Sequence, residues 1–527
     1  MRHSVPALGD LPSMQQPALW GRFVVMLALL LPWINPFAPH PSSPVVQSLL
    51  SVLALVALLV LPLDRAGVAV LARTNAAVWL AAALLSCLMA LVQYFGAAAA
   101  WFPWINGTAE GEAFANLRQR NQFATLTNIG LLALVWWQSA GRPLPALGAP
   151  DRTPPVHWGP SALALSAAAL LAVGNAASSS RTGLLQLVLL SVLLLGWKSW
   201  RTPRGTQIVL VASLSYVLAV VALPWLAGFG FGESGMLMRL QDVEMSCGSR
   251  TILWRNVLHL IGLRPWTGWG WGELDYAHFI TLYPGARFCD ILDNAHNLPL
   301  QLAVELGVPA ALLVCGLALY LLVRARPWHD TDPTRQLAWG VLGVIGLHSL
   351  LEYPLWYGPF QLAFGVAFAL LCLTGRRFPA LPPDFLARAY SSRRARLARA
   401  AVAIGLVIGT AHAAMDYVRV RQFYLPLAQR IDMYRLESLP ASSRAGWFGH
   451  WLDFAELTTT AINASTAARM HEMAERVLHV APEPRVIEKL IDSAVLLGRE
   501  DQARYFLARY QAAFPQQHAD WLKRQPR

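Results

Sequence analysis

The chain has 527 residues, of which 55% are hydrophobic and only 14% are charged, and its formal net charge at pH 7 is +12. A soluble protein usually carries about a quarter charged residues, so this composition excludes an ordinary soluble domain. Apolar runs of about 17–25 residues, long enough to cross a hydrocarbon core of about 30 Å, recur up to residue 415 and predict an all-α, polytopic membrane protein.

The apolar runs predict about eleven membrane helices. In chain order their boundaries are 20–38, 44–63, 76–96, 121–138, 160–175, 182–199, 206–227, 297–324, 336–356, 358–374 and 399–415. The first run, Trp20 to Phe37, lacks a small-residue cleavage site, and we interpret it as a resident helix rather than a signal peptide.

The distribution of arginine and lysine predicts the orientation of these helices. One set of alternate short loops is basic, and the 376–399 segment alone holds seven arginines against a single aspartate, Asp384. Basic loops face the cytoplasm. The N-terminus is therefore predicted to be cytoplasmic, with the 228–296 loop and residues 416–527 outside. This topology accounts for the positive charge, so no nucleic-acid partner is predicted.

Three parts are predicted along the chain: a membrane bundle (1–415), a large external loop within it (228–296) and a C-terminal helical domain (416–527). In the last part, Pro482 and Pro515 follow comparable amphipathic helices and lie 33 residues apart. That spacing is close to the tetratricopeptide period of about 34 residues. An ordinary helical domain is the alternative.

Two of the five cysteines, Cys247 and Cys289, fall in the external loop, where a disulfide can persist. The sequence leaves open whether they pair, because spacing alone does not show that their Cα atoms lie close together.

Five polar stretches are predicted to meet at the outer membrane face. They are "NLRQRNQFA", "GNAASSSRTGLL", "CGSRTILWRN" with the residues that follow it, "LDNAHN" and "HSLLEYPLWYG". Polar residues are costly in lipid and tend to be functional. A transporter would be expected to place them near the midplane with repeat symmetry. Clustering on one side favours a reaction at the outer leaflet.

Four arginines in these stretches, Arg120, Arg181, Arg250 and Arg255, supply the charge that an anionic lipid headgroup needs. A guanidinium binds phosphate oxygens through paired donors and keeps its proton. For each arginine alone, a snorkelling or salt-bridged interfacial role is the alternative. Arg181 is less easily explained in that way, because it lies in a turn of small residues whose hydroxyl and amide groups could join an anion site.

His296, beside Asn294, stands where the chain changes from polar to apolar, and it is predicted to be a general base. Asn297, Gln301 and Glu305 follow at four-residue spacing and predict a polar stripe that descends into the bundle, with Glu305 about 12 Å below Asn297. The alternative is a capping histidine above a buried hydrogen-bond network.

The segment "RPWTGWGWGELDY" (264–276) contains three tryptophans among glycines. Its rings could stack on sugar faces or lie in the interfacial aromatic belt. The sequence has no metalloprotease, paired-cysteine, phosphate-loop or nucleophile-elbow motif in a workable position, so neither a metal nor a cofactor is predicted.

Taken together, "RQRNQFA", "SSSRTGLL", "SRTILWRN…PWTGWGWGE", "DNAHNLPLQLAVELG" and "HSLLEYPLWY" resemble the O-antigen ligase and polymerase superfamily of bacterial inner membranes. Within it, the chain is most similar to the PglL-like protein O-oligosaccharyltransferases. The resemblance implies metal-independent transfer of a glycan from undecaprenyl pyrophosphate to a Ser or Thr of a periplasmic protein such as pilin. It also implies that Arg181 and Arg250 hold the pyrophosphate and that His296 is the essential loop histidine. Gln119, Glu352 and Tyr353, which lie in the matching motifs, are predicted to support the site.

The alternatives are an O-antigen ligase, whose acceptor is a lipid A core sugar, and an O-antigen polymerase. A lipid-linked-glycan transporter or a non-catalytic envelope scaffold would be a different class. The sequence leaves the glycan, the acceptor and the stereochemistry open.

Overall fold

The computed structural model describes residues 16–60, 65–140, 162–197, 200, 202–230, 235–241, 247–374, 392–435 and 446–524. Within these ranges every regular element is helical. The helices up to the external loop are α1 (Gln16–Ile34), α2 (Val45–Leu59), α3 (Arg65–Tyr94), α4 (Arg120–Ala140), α5 (Ala162–Ala177), α6 (Arg181–Gly196) and α7 (Pro203–Leu226). The external loop holds α8 (Gly235–Gln241), α9 (Arg250–Leu263) and α10 (Leu274–Ile280).

The helices that follow return to the bundle and then leave it. They are α11 (Leu298–Leu306), α12 (Val308–Ala325), α13 (Pro333–Ser349), α14 (Gly358–Thr374) and α15 (Arg393–Gln422). The C-terminal helices are α16 (Asp432–Arg435), α17 (Gly449–Thr459), α18 (Ala467–Leu478), α19 (Pro484–Leu496), α20 (Glu500–Ala513) and α21 (Pro515–Arg524).

Several of these helices suit a membrane by length and composition. Among the described residues, four are long and apolar enough to cross one: Gly67–Tyr94, Pro203–Leu226, Val308–His329 and Arg393–Gln422. Five shorter apolar helices accompany them. A multi-pass membrane protein is therefore supported. Every predicted span overlaps a helix, but the number of crossings and their orientation remain predictions.

One apolar core joins α1 to α7 with α13 and α14. Small residues allow these helices to approach closely, as is usual where helices pack in lipid. Gly174 on α5 lies against the Cys87 side chain of α3, so that a Cβ at this glycine would overlap the sulfur. The core holds the N-terminal ends of α4 and α6, which carry site residues, in fixed relative positions.

The predicted span 297–324 is not one continuous helix. It breaks at Gly307, whose φ is +88°, into α11 and α12. The segment 265–270 occupies the break, where Val308 N donates to Pro265 O at 2.8 Å and Gly270 N donates to Glu305 O at 3.0 Å. A side chain at Gly307 would meet the Trp266 carbonyl. The break therefore depends on glycine and on this tertiary contact.

The polar stripe on α11 does not descend into the bundle, and this part of the prediction is wrong. The helix packs on α9 of the external loop, and the Glu305 carboxylate accepts a hydrogen bond from Gly272 N at 2.9 Å. The stripe stabilises the external loop instead of lining the bundle.

The C-terminal helices share a second core, to which α10 of the external loop contributes Phe279. At this contact the Tyr276 ring stacks on His479 at 3.9 Å, and Arg509 Nε donates to Ile280 O at 2.7 Å. The C-terminal helices are thus docked on the external loop. The tetratricopeptide assignment and the boundary at residue 415 remain predictions; α15 itself continues to Gln422.

Candidate active site

Glu352 lies at the centre of the polar residues. Its carboxylate pairs with the Arg250 guanidinium and lies 2.7 Å from His296 Nδ1. It also accepts hydrogen bonds from Asn121 Nδ2 at 3.0 Å and from Gln119 Nε2 at 3.3 Å. Groups from three other parts of the chain therefore meet at this carboxylate. With Ser180, which bonds to Asn121, residues from all five predicted polar stretches are brought together.

The local sequence explains why Glu352 points into the site. Helix α13 ends at Ser349, earlier than the predicted 356, because Pro354 disfavours helical geometry in the residue before it. Glu352 N donates to His348 O at 2.8 Å and closes the turn. The side chain is 5% exposed, and a carboxylate buried to that extent needs charged or hydrogen-bonding partners.

The ionised form of Glu352 is favoured. Burial by itself raises the pKa of this carboxyl, but the hydrogen bond and charge of His296 and the charge of Arg250 lower it by more. The net pKa lies below the ordinary value for glutamate. Because an ionised carboxylate only accepts hydrogen bonds, His296 Nδ1 donates to Glu352.

The backbone holds His296 in a restricted conformation. Its φ is +49°, and its N–H donates to Asn294 Oδ1 at 2.9 Å. The next residue, Asn297, caps α11 through Leu300 N and reaches the Leu350 carbonyl with Nδ2 at 2.9 Å. The imidazole and the Tyr353 ring are nearly perpendicular, with their centroids 5.1 Å apart. Among the described residues no group hydrogen-bonds to Nε2, and the side chain is 26% exposed.

Gln301 and Glu305 support the site from a distance. Gln301 Oε1 accepts from Ala295 N at 2.7 Å, and Glu305 bonds to Gly272 N. Both side chains hold backbone segments of the external loop and do not contact Glu352. These hydrogen bonds agree with the predicted alternative, in which Gln301 and Glu305 belong to a buried hydrogen-bond network beneath His296.

Four arginines form a positively charged group beside Glu352. Arg120 pairs with Glu112, Arg250 pairs with Glu352, and Arg181 donates to the carbonyl oxygen of Arg239. Burial lowers the pKa of Arg239, and the charges of Arg120, Arg181 and Arg250 lower it further. Among the described residues, these four guanidinium groups lie close to the carboxylates of Glu112 and Glu352, and a group of arginines suits the binding of an anion.

Arg239 was not predicted as a site residue. It lies on α8, and its Nη1 donates to Ser179 O at 3.3 Å, in the turn that begins α6. One sequence signal could have identified it, because a basic residue in a loop predicted to face outside departs from the positive-inside rule.

The structure does not bring Arg255 to this group. It is exposed on α9, five residues after Arg250. Five residues of an α-helix turn through about 500°, so Arg255 lies about 140° around the helix from Arg250. Arg118 is also directed away from the group, because its Nη2 donates to Pro36 O at 2.6 Å.

Asn121 connects the arginine-bearing turn to Glu352. Its Oδ1 accepts from Ser180 Oγ at 2.6 Å, and Ser180 caps α6 by accepting from Gly183 N at 3.0 Å. Arg181 therefore occupies the first helical position of α6, directly after this cap. Asn121 was missed as an individual residue, although it stands in the quoted "RQRNQFA" motif.

The external loop is tied together by a disulfide between Cys247 and Cys289, whose Cα atoms lie 5.4 Å apart. Cys247 precedes Ser249, the cap of α9, and Cys289 lies seven residues before His296. The bond therefore joins the segment that carries Arg250 to the segment that carries His296. In the described ranges no group of three or more His, Cys, Asp or Glu residues could hold a metal ion.

Three protein families match parts of this chain. Residues 113–137 match the family described as "Protein glycosylation ligase", and residues 166–315 match "O-Antigen ligase". Residues 336–527 match "Virulence factor membrane-bound polymerase, C-terminal". The matched segments contain every residue of the arginine group, together with His296 and Glu352.

Two curated relatives come from Acinetobacter baylyi. The chain is 24% identical over 300 residues to its "General O-oligosaccharyltransferase", a match that covers 55% of this chain and 49% of that protein. It is 24% identical over 255 residues to the "ComP-specific O-oligosaccharyltransferase", covering 48% of this chain and 43% of that protein. The chain thus spans about half the length of the curated relatives it matches.

Proposed function

We propose that this chain glycosylates proteins in the periplasm, on the outer side of the bacterial inner membrane. Its resemblance to O-antigen ligases and protein O-oligosaccharyltransferases, shown by these matches, supports the proposal. The chain transfers a glycan from undecaprenyl pyrophosphate to a Ser or Thr hydroxyl of a periplasmic protein such as pilin. The observation that carries this proposal is the convergence of His296 and Arg250 on the Glu352 carboxylate, beside a group of arginines formed by Arg120, Arg181, Arg239 and Arg250.

In this proposal His296 is the general base. The ionised Glu352 holds the proton on Nδ1, so that Nε2 can accept the proton of the acceptor hydroxyl. The hydroxyl oxygen then forms a bond to the anomeric carbon of the first sugar. The bond between that carbon and the pyrophosphate oxygen breaks, and its electron pair leaves with the pyrophosphate.

The arginine group stabilises the leaving pyrophosphate. Arg181, Arg239 and Arg250 supply fixed positive charges where negative charge develops, which is the largest contribution in many enzymes. Arg120 adds a fourth charge, partly balanced by Glu112. Since the guanidinium groups do not need to release protons, they provide this stabilisation without a metal or a cofactor.

The position of the C-terminal helices favours a protein as the acceptor. They dock on the same external loop that carries Arg250 and His296, through contacts such as His479 with Glu273 at 2.7 Å. A protein bound to these helices would therefore be held near the reacting groups. Such an arrangement requires both the external loop and the C-terminal helices to lie in the periplasm.

Transfer to a lipid A core sugar is the second candidate, because the O-antigen ligase match covers residues 166–315. Purified protein in liposomes should be incubated with undecaprenyl-pyrophosphate-linked glycan extracted from its own cells and either pilin or lipid A core. Modified pilin alone supports protein glycosylation, and modified core alone supports the O-antigen ligase. Glycan polymers without an acceptor would indicate a polymerase, whereas donor translocation without transfer would indicate a transporter.

A further inference from the structure

Two tryptophan rings from distant parts of the chain stack close to the candidate active site. The rings of Trp271 and Trp356 are nearly parallel, at 11°, with their centroids 5.9 Å apart. Trp271 is 63% exposed and Trp356 is half-buried. The pair therefore presents an aromatic surface to solvent.

The loop that carries Trp271 is held rigidly. Gly270 and Gly272 flank the tryptophan with positive φ values of 119° and 77°. Both glycine N–H groups donate to Glu305, one to its backbone oxygen at 3.0 Å and the other to its carboxylate at 2.9 Å. An exposed ring on such a loop loses little conformational freedom when a ligand binds.

The second ring belongs to the turn that carries Glu352. Trp356 N donates to Tyr353 O at 3.2 Å, and the Tyr353 ring contacts His296 at 5.1 Å. The stacked pair is therefore linked through Tyr353 to His296, the residue proposed to act as the base. Among the described residues neither indole N–H of the pair has a hydrogen-bond acceptor, so both can donate to a ligand.

We propose that Trp271 and Trp356 bind the sugar rings of the glycan donor. The C–H faces of a sugar pack on indole rings, while the indole N–H groups and the nearby Glu273 carboxylate hydrogen-bond to sugar hydroxyls. This inference rests on the proposed function, because it assigns the glycan to a position next to the pyrophosphate site. The pair selects donors that carry a glycan over the bare lipid pyrophosphate.

The test compares binding of two lipids to the purified, full-length protein in detergent. One is undecaprenyl pyrophosphate, and the other is the undecaprenyl-pyrophosphate-linked glycan extracted from the protein's own cells. The variants are Trp271→Ala, Trp356→Ala and Trp271→Phe. The matched control is Trp266→Ala, because Trp266 is a 79% exposed tryptophan of the same loop that has no ring partner among the described residues.

We expect either alanine variant to weaken binding of the glycan-bearing lipid by about 5–10-fold. Binding of bare undecaprenyl pyrophosphate should not change, Trp271→Phe should retain most of the affinity, and Trp266→Ala should behave as wild type. Equal weakening for both lipids would show that the rings only anchor the protein at the membrane surface and would overturn the inference. Unchanged binding of both lipids would overturn it as well. If the wild-type protein binds neither lipid, the proposed function itself fails, and this inference fails with it.

Discussion

Replacing Glu352 by Gln tests whether this carboxylate organises the site. The variant keeps the size of the side chain but removes its charge. In the wild type the two carboxylate oxygens accept from His296, Arg250, Asn121 and Gln119. Oε1 accepts from Arg250 and Asn121, and Oε2 accepts from His296 and Gln119, so the NH₂ group of the glutamine would face one of these two pairs of donors. Asn121 cannot simply flip, because its Oδ1 accepts from Ser180 Oγ.

The expected cost follows from these contacts. In the variant His296 Nδ1 faces either a neutral carbonyl oxygen or an NH₂ group in place of the carboxylate, so the population with the proton on Nδ1 and with Nε2 ready to act as a base falls. A general base contributes about 10²–10⁴-fold to a rate, and we expect kcat to fall by that range, about 3–5 kcal/mol of transition-state stabilisation. The loss of charge-assisted hydrogen bonds should also reduce folding stability by about 1.5–3 kcal/mol for each bond.

The assay is the initial rate of glycan transfer to pilin in liposomes, with protein integrity checked by thermal unfolding. Glu112→Gln is the matched control, because Glu112 pairs with Arg120 and does not contact His296. A second measurement is the double variant with His296→Ala. If Glu352 acts through His296, the double variant should be no slower than His296→Ala alone. A kcat for Glu352→Gln within threefold of wild type, or fully additive effects in the double variant, would refute the reasoning.

Four further predictions follow from the fold and the charges. His296→Ala should reduce transfer by about 10²–10⁴-fold while the protein is still produced, and wild-type glycosylation by this variant would remove its role as base. Arg181→Lys and Arg250→Lys should each weaken donor binding, because lysine keeps the charge but loses the paired donors; unchanged affinity in both contradicts the pyrophosphate site. An alkaline phosphatase fusion after Asp416 should be active, whereas a fusion in the arginine-rich segment before α15 should be inactive, and the reverse result would invert the topology. Asp275→Asn should stabilise the protein at pH 8 but not at pH 4. Burial raises the pKa of Asp275 from 3.8 to about 7, so ionisation destabilises the fold increasingly as pH rises between these values, by up to about 4 kcal/mol. Equal unfolding temperatures of variant and wild type at pH 8 would contradict this.

The sequence by itself determined the class of protein and much of the site. A long apolar run in lipid can pair its backbone N–H and C=O groups within the segment only as a helix. Composition and run length were therefore enough to predict an α-helical membrane protein. The helices overlap every predicted span. Polar residues at the ends of apolar runs pointed to His296 and to three of the four arginines that the structure brings together, because such residues are costly unless they have partners or a function.

Only the tertiary structure decided how these residues meet. Glu352 gathers groups from parts of the chain up to 233 residues away, and no local pattern encodes such pairing. Arg239 lies on a helix of seven residues with little periodicity to read, and its place in the arginine group depends on contacts with the turn before α6. The break at Gly307 depends on a loop about forty residues earlier that supplies hydrogen-bonding partners to the interrupted backbone. Hydrophobic periodicity specifies which face of a helix is buried, whereas the partner of a buried charge is decided by how the helices pack.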